Sequence, residues 1–223
     1  MGKSWTEQLI HFVDFEGSLA AGVLEYGVVT LHRAEIVAVQ TRLCCARGRV
    51  RPEDNALHGL REEELAAYAP LADDWEQFAR LRETGPLAAH FSGAENSLLK
   101  LVWPYPRPSP DFARPGASVT DWGPWLDTGR LYPQLWPGLP SAKLADLVVT
   151  CGLQGRLDLL AAAHCPPARR HYHAALYDAL AGALLLAALA SEPQLAGLTT
   201  MQLLALSTLD GSKRAALAQD DLF

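Results

Sequence analysis

The chain has 223 residues, is 49% hydrophobic and carries a net charge of −6. That length suits one domain, or one domain with a small appendage, with enough apolar side chains for a sizeable core. The acidic balance excludes a protein that coats nucleic acid by broad phosphate neutralisation. It leaves room for an enzyme that grips one chain end, because bound cations reverse the local sign at a carboxylate cluster.

Four cysteines, Cys44, Cys45, Cys151 and Cys165, contain no Cys-x-x-Cys pair. They read as reduced thiols and not as a zinc site, which suits a cytoplasmic protein. The polar stretch before Leu9-Ile10-His11-Phe12 is too short for a signal peptide, and Met1-Gly2-Lys3-Ser4-Trp5-Thr6 matches only a loose acylation pattern. The apolar run 174–190 contains Asp178 and is Ala-rich, so a buried helix is expected there and no membrane span.

In chain order, strands are expected at about 8–16, 23–32 and 34–43, forming a meander with a short turn at Arg33. Asp14 and Glu16 lie two apart in the first strand, so both carboxylates point to one face. A carboxylate pair in an apolar strand is costly without a cation, which makes a hard metal ion the natural partner. Helical patterns follow at 61–68 and 73–83, and a short strand over 87–90 leads into a helix from about Ala94. His90 ends that strand, where a histidine commonly bonds backbone. Glu95 falls in the first helical turn, where the dipole favours an acid and where it could also serve a metal.

From Trp103 to Pro124 the chain is proline-rich, an irregular excursion. A strand over 125–128 then opens a run of helices at about 142–151, 156–164, 173–190 and 199–207. Asp127 reads either as a helix cap or as part of the same acidic site. His173 and Asp178 are five residues apart, the only histidine–acid pair that continues into the Ala-rich helix; His164 and His171 compete for the role of base. Three meander strands followed by alternating helices and strands describe a mixed α/β sheet. No internal repeat is present.

Together, Val13-Asp14-Phe15-Glu16-Gly17-Ser18, Leu24-Glu25-Tyr26-Gly27-Val28-Val29, His58-Gly59-Leu60, Ala89-His90-Phe91-Ser92-Gly93-Ala94-Glu95 and His173-Ala174-Ala175-Leu176-Tyr177-Asp178-Ala179 resemble the motifs of the DEDDh family of 3'-5' exonucleases. That family includes the epsilon proofreading subunit of bacterial DNA polymerase III, RNase T and oligoribonuclease. The resemblance spans roughly residues 8–190. The second motif departs from the family's Ala-His-Asn-x-x-Phe-Asp: the asparagine and phenylalanine are absent, and Glu95 replaces the aspartate.

The resemblance implies a ribonuclease H-like α/β fold with a three-strand antiparallel meander and flanking helices. It implies two Mg²⁺ ions, replaceable by Mn²⁺, held by Asp14, Glu16, Glu95 and Asp178. It gives His173 the role of general base and places Gly17, Ser18, His58 and His90 on the substrate side. The implied reaction releases nucleoside 5'-monophosphates from 3' ends. An RNA-trimming exoribonuclease and a catalytically weakened binding module are the alternatives.

Residues 1–208 are expected to form the exonuclease domain and 209–223 a flexible tail. The terminal Gln219-Asp220-Asp221-Leu222-Phe223 looks like a sliding-clamp-binding peptide, with Gln219, Asp221, Leu222 and Phe223 as anchors, and on that ground DNA is favoured over RNA.

Overall fold

The structure, a computed structural model, describes residues 4–208. The tail with Gln219, Asp221, Leu222 and Phe223 lies outside the described residues. The meander is present as β1 (Ile10–Ser18), β2 (Gly22–His32) and β3 (Glu35–Leu43), paired antiparallel. The turn between β2 and β3 passes through Arg33 and Ala34, both with positive φ. Then come α1 (Pro52–His58), α2 (Glu62–Leu65), α3 (Trp75–Thr84), β4 (Leu87–Ala89) and α4 (Gly93–Val102).

The proline-rich excursion contributes only a two-stranded ribbon, β5 (Ser109–Pro110) with β6 (Ser118–Val119). It is fastened by the buried Arg82 of α3, whose guanidinium donates to the carbonyls of Pro110, Asp121 and Gly123. Strand β7 (Leu126–Asp127) precedes α5 (Thr128–Leu135), α6 (Leu144–Thr150), α7 (Gln154–His164), α8 (Ala175–Ala188), α9 (Pro193–Ala196) and α10 (Thr200–Ser207). Helices α1 and α9 have no counterpart in the expected elements, and α5 is expected only through the reading of Asp127 as a helix cap. The helix expected from 173 begins instead at Ala175.

The main sheet has the order β3-β2-β1-β4-β7, with β4 parallel to β1 and to β7. This is the mixed α/β sheet expected of a ribonuclease H-like fold. Alternation along the strands decides what each face meets. Val13, Phe15, Tyr26 and Val28 face α3 and α4, packing with Phe78, Leu81, Leu98 and Leu99. Ile10, Phe12, Val29 and Leu31 face α8. Residues 14 and 16 continue that second face, as do 25 and 27 on β2.

Helix α8 is Ala- and Leu-rich, hence strongly helix-forming, and is buried from Ala175 to Ala187. Each fully buried leucine contributes about 1.5–3 kcal/mol, which offsets the cost of carrying Asp178 in the same helix. Two glycines allow the close approach. A Cβ at Gly27 would lie 2.3 Å from the Ala175 carbonyl oxygen, and one at Gly182 would lie 2.1 Å from the Phe12 ring. Contact at Gly27 fixes the start of α8 over the middle of β2. Among the described residues no helix is long and apolar enough to cross a membrane.

Candidate active site

Asp14 and Glu16 sit near the end of β1, on the face covered by α8. Asp178 occupies the first turn of α8, and Glu95 the first turn of α4, which follows the parallel strand β4. Four carboxylates thus meet at the carboxyl ends of the parallel strands, the usual place for a site in a sheet of this kind. Glu16, Glu95 and Asp178 are 7%, 6% and 7% exposed. Ligand atoms of Glu16, His173 and Asp178 lie within 4.8 Å of one another.

The electrostatics follow from burial. Loss of solvent pushes Glu16 up to about 8, helped by Asp178 and Glu25 and opposed by Arg169. Asp14 is raised well above the carboxylate range by burial, then by Asp178, Glu16 and Glu95. Burial carries Asp178 to about 7, although the His173 backbone N–H stabilises its charged form. Glu95 rises to about 8 by burial, with Asp127 adding to the repulsion. Like charges crowded in a low-dielectric site cannot all ionise without a compensating cation.

Within the acid cluster, two carboxylate oxygens are buried with no hydrogen-bond partner, Glu95 Oε2 and Asp178 Oδ1. Orphaned oxygens of this kind are costly. Together with a donor set of hard oxygens they fit a divalent cation of the magnesium or manganese type. The residues therefore suit a divalent metal of the kind the motifs imply; Glu16 and Asp178 share the ligand-atom cluster with His173, while Asp14 and Glu95 are not part of that cluster and border it electrostatically.

His173 stands two residues before α8, exposed, with φ +64°. Its backbone N–H donates to Asp178 Oδ2 at 3.0 Å. The histidine sits in a left-handed turn in front of α8, whose first turn supplies the acceptor, and a ring nitrogen lies within 4.8 Å of carboxylate oxygens of Glu16 and Asp178. His164 closes α7, and His171 is exposed with Nδ1 2.7 Å from the Tyr172 carbonyl. Neither appears in the metal-ligand cluster found among the described residues.

The substrate-side residues are placed unequally. Gly17 and Ser18 end β1 beside a break in the ladder, and Gly17 has φ +145° with the Gly22 carbonyl 2.1 Å from where a Cβ would be. Only glycine fits there. His90 engages Thr128 Oγ1 through Nδ1 and the Ala142 carbonyl through Nε2, both at 2.9 Å. Both ring nitrogens are thus held within the protein. His58 is buried; Nδ1 accepts from the Leu60 N–H at 3.1 Å, and Nε2 has no partner.

Asp127 makes no side-chain cap on α5. Its carboxylate reaches back to the second motif, accepting from the backbone N–H groups of Phe91 and Ser92 and from Ser92 Oγ, each at 3.0 Å. Arg130 lies against the same carboxylate, at 3.2 Å. Phe91, at φ +59°, takes the strained corner of this turn just ahead of α4. Asp127 thereby sets where α4 and Glu95 begin.

Glu25 and Arg169, which carry no role in the motifs, also belong to this corner of the structure. Glu25 is 4% exposed, on the same face as Glu16. Its carboxylate accepts from Arg169 through both oxygens and from the Ala175 N–H at 3.0 Å. The signal was available: an acid inside the apolar run Val23-Leu24-Glu25-Tyr26 needs a partner for the same reason as Asp14 and Glu16.

No protein-family model matches the sequence, and no curated protein matches it. Solved structures do match. Exonuclease X in complex with 5' overhanging duplex DNA is 21% identical with a TM-score of 0.62, covering 89% of this chain and 99% of that one. The nuclease domain of 3'hExo, a DEDDh family member, bound to rAMP, is 14% identical with a TM-score of 0.58, covering 83% and 93%. The zinc-bound E. coli ExoI–ssDNA complex is 15% identical with a TM-score of 0.56, covering 85% of this chain but 42% of that one. At these identities the shared property is the fold, and the chain has the fold of the DEDDh exonucleases.

Proposed function

We propose that this chain is a divalent-metal-dependent 3'-5' exonuclease that releases nucleoside 5'-monophosphates. The observation that carries the reading is the meeting of Asp14, Glu16, Glu95 and Asp178, from β1, α4 and α8, with two buried carboxylate oxygens left unpartnered. Bound Mg²⁺ or Mn²⁺ would supply the positive charge that activates a water and stabilises the departing 3' oxygen. The four carboxylates would hold that charge in place. His173 is exposed beside them and takes the water's proton at a ring nitrogen, a task suited to an imidazole. Gly17 and Ser18 follow Glu16 at the end of β1, which puts their backbone beside the acids, where the terminal nucleotide would come.

Neighbours of the same fold are described with duplex DNA, single-stranded DNA and rAMP, which supports nucleic acid as the substrate class. DNA is preferred here because the terminal Gln219–Phe223 peptide is similar to a sliding-clamp ligand.

The test is digestion of end-labelled single-stranded DNA, duplex DNA and matched RNA, with Mg²⁺, with Mn²⁺ and with chelator. Stepwise shortening from the 3' end of DNA, lost in chelator, is expected. Faster trimming of RNA would move the enzyme to the exoribonuclease alternative. No product from any substrate with either ion would reject the nuclease reading.

A further inference from the structure

We infer that Arg169, oriented by Glu25, is the positioning residue for His173, fixing the left-handed turn that presents the imidazole to the acid cluster; this rests on the exonuclease reading. The turn is held from both sides. The His173 N–H donates to Asp178 Oδ2 at 3.0 Å, and the His173 carbonyl accepts from Arg169 Nη2 at 3.2 Å. A non-glycine residue at φ +64° is uncommon, and such a conformation persists only where its surroundings over-determine it. Here they do so through the Asp178 carboxylate on one side and the Arg169 guanidinium on the other.

Arg169 serves three elements at once. Nε donates to Glu25 Oε1 at 3.2 Å, Nη2 also meets Glu25 Oε2, and Nη1 donates to the His58 carbonyl at 2.6 Å, at the end of α1. Glu25 belongs to β2 and accepts the Ala175 N–H as well, so it ties the first residue of α8 to the sheet. The segment before α8 is thus referenced to β2, to α1 and to α8 through a planar fork of donors. Arginine offers such a fork; lysine, a single point charge on a flexible stem, does not.

Glu25 is not needed as a metal donor in this arrangement, because both its oxygens are already taken. Its role is to aim the guanidinium. Arg169 in turn leaves the His173 ring free, since it contacts only the backbone carbonyl.

The experiment compares wild type with Arg169→Lys, His173→Ala and the double variant, in Mg²⁺, on a short single-stranded oligonucleotide. Arg169→Lys keeps a positive charge beside Glu25 and is expected to melt close to wild type. Its kcat should fall by about 10- to 100-fold, because a misplacement near 1 Å costs about that much, with KM within about twofold. In the His173→Ala background the same change should matter less than about threefold, since two residues that act as a unit are not additive. Full kcat in Arg169→Lys, or losses that multiply in the double variant, would overturn the assignment.

A second readout needs no turnover. Added Mn²⁺ should broaden the His173 ring proton resonances of wild type and broaden them much less in Arg169→Lys. Equal broadening in both overturns the positioning role. An inactive wild type with this contrast intact would sink the nuclease reading alone.

Discussion

Glu16 and Glu25 stand directly opposite each other in the β1–β2 ladder, on the sheet face that carries α8, and only Glu25 is engaged by a cation. Arg169 holds both oxygens of Glu25. Glu16 is left to the acid cluster, with its proton affinity raised by burial, Asp178 and Glu25. The pair separates the two tasks at this end of the sheet: one carboxylate fixes the chain before α8, and the other awaits a metal.

Removing a cluster acid should therefore separate activity from stability. Asp14→Ala and Asp178→Ala are each expected to abolish nuclease activity, because each removes an oxygen donor. In chelator at about pH 8 and above, where the crowded acids are driven to ionise, Asp14→Ala should melt no lower than wild type, while Asp178→Ala also gives up the His173 N–H bond and should gain less. Calorimetric scans of metal-free protein beside a nuclease assay check both halves. Turnover at the wild-type level in either variant would remove that residue from the site.

The pH dependence of the metal-free protein has a definite sign. Glu16 and Glu95 are raised to about 8 and Asp178 to about 7, above ordinary unfolded values near 4. The folded state therefore holds protons that the unfolded chain has already released. Their contribution is full below about pH 4 and is lost as pH rises toward 8. Melting temperature in chelator should fall across this window. With saturating Mn²⁺ the trend should flatten or reverse, because metal binding requires deprotonated carboxylates and strengthens with pH. A metal-free protein that becomes more stable between pH 5 and pH 8 would contradict the buried, uncompensated cluster.

His173→Ala should lower the rate by about 100-fold or more, the loss expected when a general base is removed, with Mn²⁺ affinity little changed. His164→Ala should be mild, for His164 ends α7 outside the acid cluster. Single-turnover rates of the two variants, with calorimetric Mn²⁺ titration, make the comparison. A larger loss at His164 than at His173 would reassign the base.

The cluster was legible in the sequence because its parts carry local signals. An Asp-x-Glu step in an apolar strand states a geometry through its spacing, and the His173–Asp178 pair is marked by its resemblance to the family's third motif. The meander and α8 were legible for the same reason: long, strongly periodic or uniformly apolar segments leave little choice. What stayed hidden depends on contacts far apart in the chain. Arg169 sits in Pro166-Pro167-Ala168-Arg169-Arg170 with no pattern to mark it, and its partner Glu25 is 144 residues away. Asp127 reads locally either as a helix cap or as part of the acidic site, and its N–H partners are instead Phe91 and Ser92, 36 and 35 residues back in the chain. Helix α5 carries Pro133 inside it, which argues locally against a helix, and α1 is a single short element announced only by Pro52 at its start.

Asp127→Ala should loosen the second motif. Asp127 is 2% exposed and its carboxylate accepts from two part-buried backbone N–H groups, and each hydrogen bond to a charged acceptor contributes about 1.5–3 kcal/mol. A loss of about 2–4 kcal/mol in denaturant unfolding is expected, with nuclease activity reduced because Glu95 follows the freed turn directly. Asp127→Asn, which keeps one acceptor oxygen, should recover part of both. An alanine variant as stable as wild type would mean that the turn holds itself.

Gly27 tests how tightly the site depends on the seat of α8. A Cβ at Gly27 would meet the Ala175 carbonyl oxygen at 2.3 Å and the Leu176 Cα at 2.5 Å, both backbone atoms that cannot swing aside. Gly27→Ala must therefore lift the first turn of α8 from β2. Overpacking of this kind costs about 1–3 kcal/mol, and the moving turn carries Asp178 while breaking the Ala175 N–H bond to Glu25. Activity should fall further than stability, since a shift near 1 Å in a catalytic group costs about 100-fold. Gly182→Ala gives the contrast: it strains α8 against the Phe12 ring, a full turn beyond Asp178, and should cost stability with a smaller effect on rate. Equal rate losses at equal destabilisation in the two variants would show that α8 moves as one rigid body and that its first turn has no separate anchor.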